Sequence, residues 1–187
     1  MTEEPLFKST HEALVFAFNY AGQQSPKTPL MRMIQSKDLE DDRLGPVKKS
    51  KGLAGLDGAA QAGMILAEVC RLPDDQHNVI VARYYRAQYE CKCCEQPRPR
   101  EEWKIAIDAL SHCIELEGVH KHVRLQMVRK AICGGDIDIK GLCDKYLLSK
   151  PTLYRQLSML KQKYRKIESM AMIRLDKQFS DNKLLVA

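Results

Sequence analysis

The sequence predicts an all-α fold: a helical N-terminal half, then a short helix, a tight turn and a long last helix. Three observations predict it. Leu, Ala, Met, Lys, Arg and Glu are abundant while aromatic residues make up only 6% of the chain, a balance that favours helices over strands. Apolar residues recur three and four apart in several windows, with no convincing strand alternation and no internal repeat. Pro73, Gly118 and the Gly134-Gly135 pair punctuate those windows.

The elements follow in order. Residues 7–20 read as a helix that Thr10 can cap, with Leu14, Val15 and Phe18 on one face. Residues 22–51 build little core. They hold Pro26, Pro29 and Pro46, a charged cluster over 37–43 and the basic run Lys48, Lys49 and Lys51. The reading is a mobile linker or arm, with a few helical turns over 31–34 and a backbone contact to nucleic acid as a possible use of its lysines. Residues 53–72 read as a buried Ala-rich helix capped by Asp57, whose small residues permit close packing. Pro73 ends it and Asp74-Asp75 open the next, 76–90, with Val79, Ile80, Ala82, Tyr84 and Ala87 available for burial. Residues 101–116 are predicted helical, packing through Trp103, Ile105, Ala106, Ala109, Leu110 and Cys113. Trp103 reads as a core anchor. Residues 119–133 form a basic amphipathic helix with Val123, Met127, Val128 and Ala131 inward. The expected organisation is an N-terminal helix (1–21), a linker (22–52), a helical domain with a cysteine-rich loop (53–117), a second domain (118–175) and a frayed tail (176–187).

The most informative stretch is 139–157, IKGLCDKYLLSKPTLYRQL. Leu142 and Tyr146 sit four apart on a short helix, and Cys143 is small where two helices would cross. Leu148 plugs the turn, Ser149 is placed to cap the next helix, and Pro151 falls in its first turn, where a missing N–H costs little. Leu153 and Leu157 face the core, and Leu160, Tyr164 and Ile167 continue that face, with 170–173 a possible dimer contact. Lys150, Thr152, Tyr154, Arg155 and Ser158 are left pointing outward.

This stretch resembles the helix-turn-helix of bacterial and phage regulators. The resemblance implies that the second helix lies in the major groove of double-stranded DNA, with Ser149, Lys150, Thr152, Tyr154, Arg155, Ser158 and Lys161 at the interface. Leu147 departs from it, standing where that family places glycine or another residue tolerant of positive φ, so a wider or differently built turn is expected. The ending TLYRQL also resembles the DNA-binding tail of serine recombinases, but no catalytic constellation of that group precedes it here.

Charge supports a polyanion partner at one end. Of the 187 residues, 119–166 hold twelve Lys and Arg against three Asp, a surplus of nine, while the whole chain carries +6 and the remainder is therefore mildly acidic. No apolar run is long enough to span a membrane, and the N-terminus lacks the order of a signal peptide, so a cytoplasmic protein is expected. The seven cysteines then read as thiols or metal ligands. Cys91, Cys93 and Cys94, between two predicted helices, can converge on one soft cation, and zinc would staple them. Its fourth ligand is open among Cys70, His77, His112 and Cys113.

The order of ARYY, cysteine cluster, EEW and basic motif resembles prophage-encoded late-gene regulators and Q-type antiterminators. The matching residues are Ala82 to Tyr85, Cys91 to Cys94, Trp103 to Ile107 and the motif itself. The resemblance implies a sequence-specific DNA-binding transcription regulator. The alternative is an adaptor or antiterminator that grips RNA polymerase. No P-loop, HExxH or GxSxG occurs, and adjacent His112 and Cys113 on a helix point apart, so no enzyme is expected.

Overall fold

Leu153, Leu157, Leu160, Tyr164, Ala171, Leu175 and Phe179 recur at helical spacing, and in the structure they form one buried stripe along a 32-residue helix. The computed structural model describes residues 7–23, 56–85, 88–91, 93–94, 96–113, 119–134 and 137–185. Its elements are α1 (Thr10–Gln23), α2 (Leu56–Cys70), α3 (Asp74–Tyr84), β1 (Gln88–Glu90), β2 (Pro97–Pro99), α4 (Glu101–His112), α5 (Lys121–Cys133), α6 (Ile139–Tyr146) and α7 (Lys150–Asp181). The fold is all-α apart from one short antiparallel ladder, β1–β2, that pairs Gln88 with Pro99 and Glu90 with Pro97. Of the arm expected over 22–52, residues 22 and 23 instead close α1, and the rest of it, with Lys48, Lys49 and Lys51, lies outside the described residues. No helix among the described residues is long and apolar enough to cross a membrane.

One hydrophobic cluster runs from Phe7 to Leu184. The helix α7 packs on α1, α2, α3, α5 and α6, and its Tyr164 hydroxyl donates to the Leu110 carbonyl of α4 at 3.0 Å. That buried hydroxyl is pushed above the usual tyrosine range by desolvation, so it stays a donor. Trp103 is the anchor expected of it. It is buried, its Nε1 donates to the Ala82 carbonyl of α3 at 3.2 Å, and the Arg129 guanidinium of α5 lies 5.3 Å above its ring. Lys121 and Asp108, 2.8 Å apart, tie α5 to α4 at the surface.

Several expectations are corrected. The cap of α1 is Ser9, whose Oγ accepts from the Glu12 backbone N–H at 3.2 Å. The Glu12 carboxylate in turn accepts from the Lys8 N–H at 2.9 Å. Thr10 is instead buried inside the helix and donates to the Asp176 carboxylate of α7. Helix α2 begins at Leu56, so Asp57 lies within its first turn and not at its cap. The helix expected over 76–90 ends at Tyr84, because Tyr85 turns extended to set its ring edge-on to Phe18 at 5.6 Å and beneath Arg100 at 5.2 Å. The hairpin begins at Gln88. In α4 the buried face is Trp103, Ala106, Ile107, Leu110 and Ser111. Ile105 is 60% exposed and Cys113 is exposed, because the i, i+3, i+4 set that starts at Trp103 turns both away.

The tail expected to fray is docked as far as Leu185. Phe179 is fully buried, Leu184 nearly so, and the Phe7 N–H donates to the Leu184 carbonyl at 3.1 Å within a parallel bridge of Phe7 to Leu185. The Asn182 amide reaches the buried Glu68 carboxylate of α2 at 3.3 Å. Truncating Phe179 to Ala is therefore expected to cost about 3–5 kcal/mol of unfolding free energy in urea titration. A cost near that of a surface substitution would show that this end does not pack.

Candidate functional site

The basic C-terminal region is built around the turn between α6 and α7. Asp138 caps α6, its carboxylate accepting from the Gly141 N–H at 2.9 Å. A Cβ on Gly141 would run into that carboxylate as it is now set, so the small residue leaves the capping side chain its room. The helix ends in a left-handed residue, Leu147, at φ 52° and ψ 40°. The Leu148 N–H then donates to the Cys143 carbonyl at 3.1 Å, the six-to-one bond of a Schellman ending. The turn is thus short and left-handed, not wider as Leu147 had suggested. Leu147 supplies the positive φ itself, with its side chain 94% exposed. Leu148 packs against the core, Ser149 occupies the N-cap of α7 with no side-chain hydrogen bond, and Pro151 sits in the first turn.

Two ring stacks hold this unit to the preceding helix. His120 caps α5, its Nδ1 accepting from the His122 N–H at 3.1 Å, and its ring stacks on Tyr146 of α6 with centroids 4.9 Å apart. The His122 ring stacks on the same Tyr146 with centroids 6.2 Å apart. Within α6, Lys145 lies 5.6 Å over that ring.

The predicted interface residues divide between two sides of α7. Tyr154, Ser158 and Lys161 come together along a groove of about 550 Å³ that Lys130, Asp138 and Lys140 complete. Lys130 and Lys161 also line an adjoining cavity of about 310 Å³ with Arg83, Arg165 and Glu168. Thr152 and Arg155 do not join that groove. At 100° per residue they fall on the outward arc with Met159, opposite the buried stripe. Ser149, Lys150, Thr152, Tyr154, Arg155 and Ser158 are all exposed. Lys150 and Arg155 have no ion-pair partner among the described residues. The sequence reading missed Lys130 and Lys140 as groove residues, because their convergence with Lys161 depends on how α5, α6 and α7 pack.

The second constellation is at the tip of the β1–β2 hairpin. The Cys91 N–H donates to the Gln96 carbonyl at 3.0 Å and the Cys94 N–H to the Cys91 carbonyl at 3.3 Å, folding the loop back on itself. The thiol sulfurs of Cys91, Cys93 and Cys94 all lie within 4.8 Å of one another, with Cys91 and Cys93 Sγ 2.9 Å apart. Cys93 and Cys94 are exposed. The Arg98 guanidinium approaches Cys94 Sγ at 3.8 Å. Hydrogen bonding from the Cys93 thiol draws Cys91 down to about 7, and the same contact pushes Cys93 up. These three thiols can hold a metal ion. The expected fourth ligands do not reach it: among the described residues, no Cys, His, Asp or Glu joins the three.

No model of a known protein family matches the chain, and no curated protein is similar to it.

Because Leu147 holds a conformation that costs an L-residue about 1–2 kcal/mol, Leu147→Gly is expected to raise stability by up to about 1 kcal/mol in chemical denaturation. A loss of stability would mean that the side chain, and not the backbone, secures the turn.

Proposed function

We propose that the chain is a sequence-specific DNA-binding transcription regulator of the phage or prophage type, working in the cytoplasm by binding and not by catalysis. The single observation that carries this reading is the exposed, basic start of α7, held by a short left-handed turn and backed by the groove of Lys130, Lys140 and Lys161. In a helix-turn-helix the first turns of the second helix meet base edges, while flanking cations meet phosphates. Arg155 is the base reader in this reading, by bidentate bonds to a guanine edge, with Thr152 beside it. Lys161 serves the phosphates.

A second reading, an adaptor or antiterminator that grips RNA polymerase, is favoured by a different observation. Met159, Met170 and Ile173 are exposed along the outward side of α7, an apolar line that runs well beyond the first turns and suits a protein surface. Binding of purified polymerase in the absence of DNA distinguishes it.

For the thiol cluster we propose zinc. Three thiolates suit it, and it would brace a hairpin whose two strands are three residues each.

Selection of bound fragments from a randomised duplex pool tests the main reading, and an absence of any enriched sequence overturns it. Arg155→Ala is expected to lose about 1–3 kcal/mol on the selected site and relax its sequence preference. A uniform loss on all sequences would remove Arg155 from base reading. Lys161→Ala is expected to weaken all sequences alike and lower the salt slope by about 1. An unchanged slope would remove the phosphate contact.

A further inference from the structure

The thiol cluster presents three donors and no fourth among the described residues, at the exposed tip of a hairpin. Structural zinc sites are four-coordinate and closed. Held by these three described donors alone, a single zinc on this tip keeps one open position, directed away from the hairpin that supplies the other three. We infer that a second copy of this chain closes the site: two hairpin tips meet and share a binuclear zinc cluster. This rests on the zinc reading above and adds its partner and stoichiometry.

The count of donors carries the argument. Three thiols from each of two copies make six, and two zinc ions reach four sulfurs each when two of the six thiolates bridge them. The ions gain closed tetrahedral shells with no further ligand. The three thiols of each copy release their protons to solvent as the zinc–sulfur bonds form, and nothing is oxidised or reduced. Six thiolates and two divalent ions leave a net charge of −2, and each copy brings Arg98 beside Cys94 at 3.8 Å to offset it.

Access and geometry permit the same assembly. Cys93 and Cys94 are exposed, at the end of a hairpin that follows α3 and precedes α4 in the chain, so two tips can approach about a two-fold axis with like residues facing each other. Sulfurs sharing one tetrahedral zinc at ~2.3 Å lie roughly 3.8 Å apart. Cys91 and Cys93, now 2.9 Å apart, must separate by about that difference. The change moves a half-buried thiol, Cys91, against an exposed one, Cys93.

The experiment is zinc titration of the metal-free full chain, read by native mass spectrometry and sedimentation, with X-ray absorption at the zinc edge. The expected result is a dimer carrying two zinc ions, an all-sulfur shell around each, and a return to monomer when a chelator removes the metal. Restored zinc should restore the dimer, and the helical circular dichroism should stay unchanged throughout. Cys93→Ser is expected to lower the zinc held by the dimer from two ions to one, because the four remaining thiolates close a single tetrahedral shell, while leaving the helices intact. Absence of zinc binding overturns both this inference and the zinc reading. One zinc per monomer with mixed sulfur and oxygen donors leaves the zinc reading standing and overturns the shared cluster. A dimer that survives chelation, or a Cys93→Ser dimer that still carries two zinc ions in all-sulfur shells, also overturns it.

Discussion

The buried stripe of α7 is the constraint on which the other helices depend. A helix of 32 residues is held in water mainly by what packs on it, and here five other helices lie against the same stripe. Apolar burial is non-directional and would tolerate rotation of α7 about its axis. Polar pegs remove that freedom. Tyr164 bonds to Leu110 in α4, Thr10 of α1 to Asp176, Arg83 of α3 to Glu168 at 3.4 Å, and Asn182 to Glu68 of α2. Each peg comes from a different helix, so the rotational setting of α7 is determined over its C-terminal half, from Tyr164 onward.

That setting decides what the helix shows to solvent. With Leu153 and Leu157 committed to the core, Thr152 and Arg155 must point out, and Tyr154, Ser158 and Lys161 must flank the groove beside α5 and α6. The chemistry of the basic end is thus a consequence of packing some distance away, near Tyr164 and Phe179. The thiol cluster stands apart from this arrangement. Its position comes from a hairpin whose strands include Pro97 and Pro99, and its three sulfurs converge through backbone bonds within the loop itself.

Much of this was legible in the sequence, and what was not has identifiable causes. The all-α class, the Asp74-Asp75 start of α3, the Gly134 ending of α5 and the inward set of α7 follow from local periodicity and end signals, which the structure keeps. The end of α3 was not legible, because Tyr85 leaves the helix to meet Phe18 and Arg100, partners remote in sequence. The face of α4 was misplaced in part because Ile105 is apolar yet faces solvent, while the polar Ser111 is buried and bonds to the Asp108 carbonyl at 2.7 Å. Ser9 was passed over for Thr10 although Ser9 and Glu12 have the spacing of a capping box. The docking of 176–185 depends on Phe7 and Glu68, which no local pattern connects to it. At the site, the outward residues of α7 could be chosen from spacing alone, whereas Lys130 and Lys140 could not, since three helices must meet before they converge.

The length of α7 also has a mechanical meaning. Between Thr152 and Asp181 it contains neither glycine nor proline, so it lacks the usual places for a bend. Lys150 and Phe179 are separated by ~44 Å of axis at 1.5 Å per residue. A stiff rod of that length is a lever. Were α7 to tilt by roughly 10° about the anchored Phe179, carrying α5 and α6 with it, Lys150 would sweep through about 8 Å, more than one full turn of helix. Small changes where Phe7, Glu68 and Thr10 grip the far end are therefore magnified at the basic end, which makes that grip a place from which binding can be tuned at a distance.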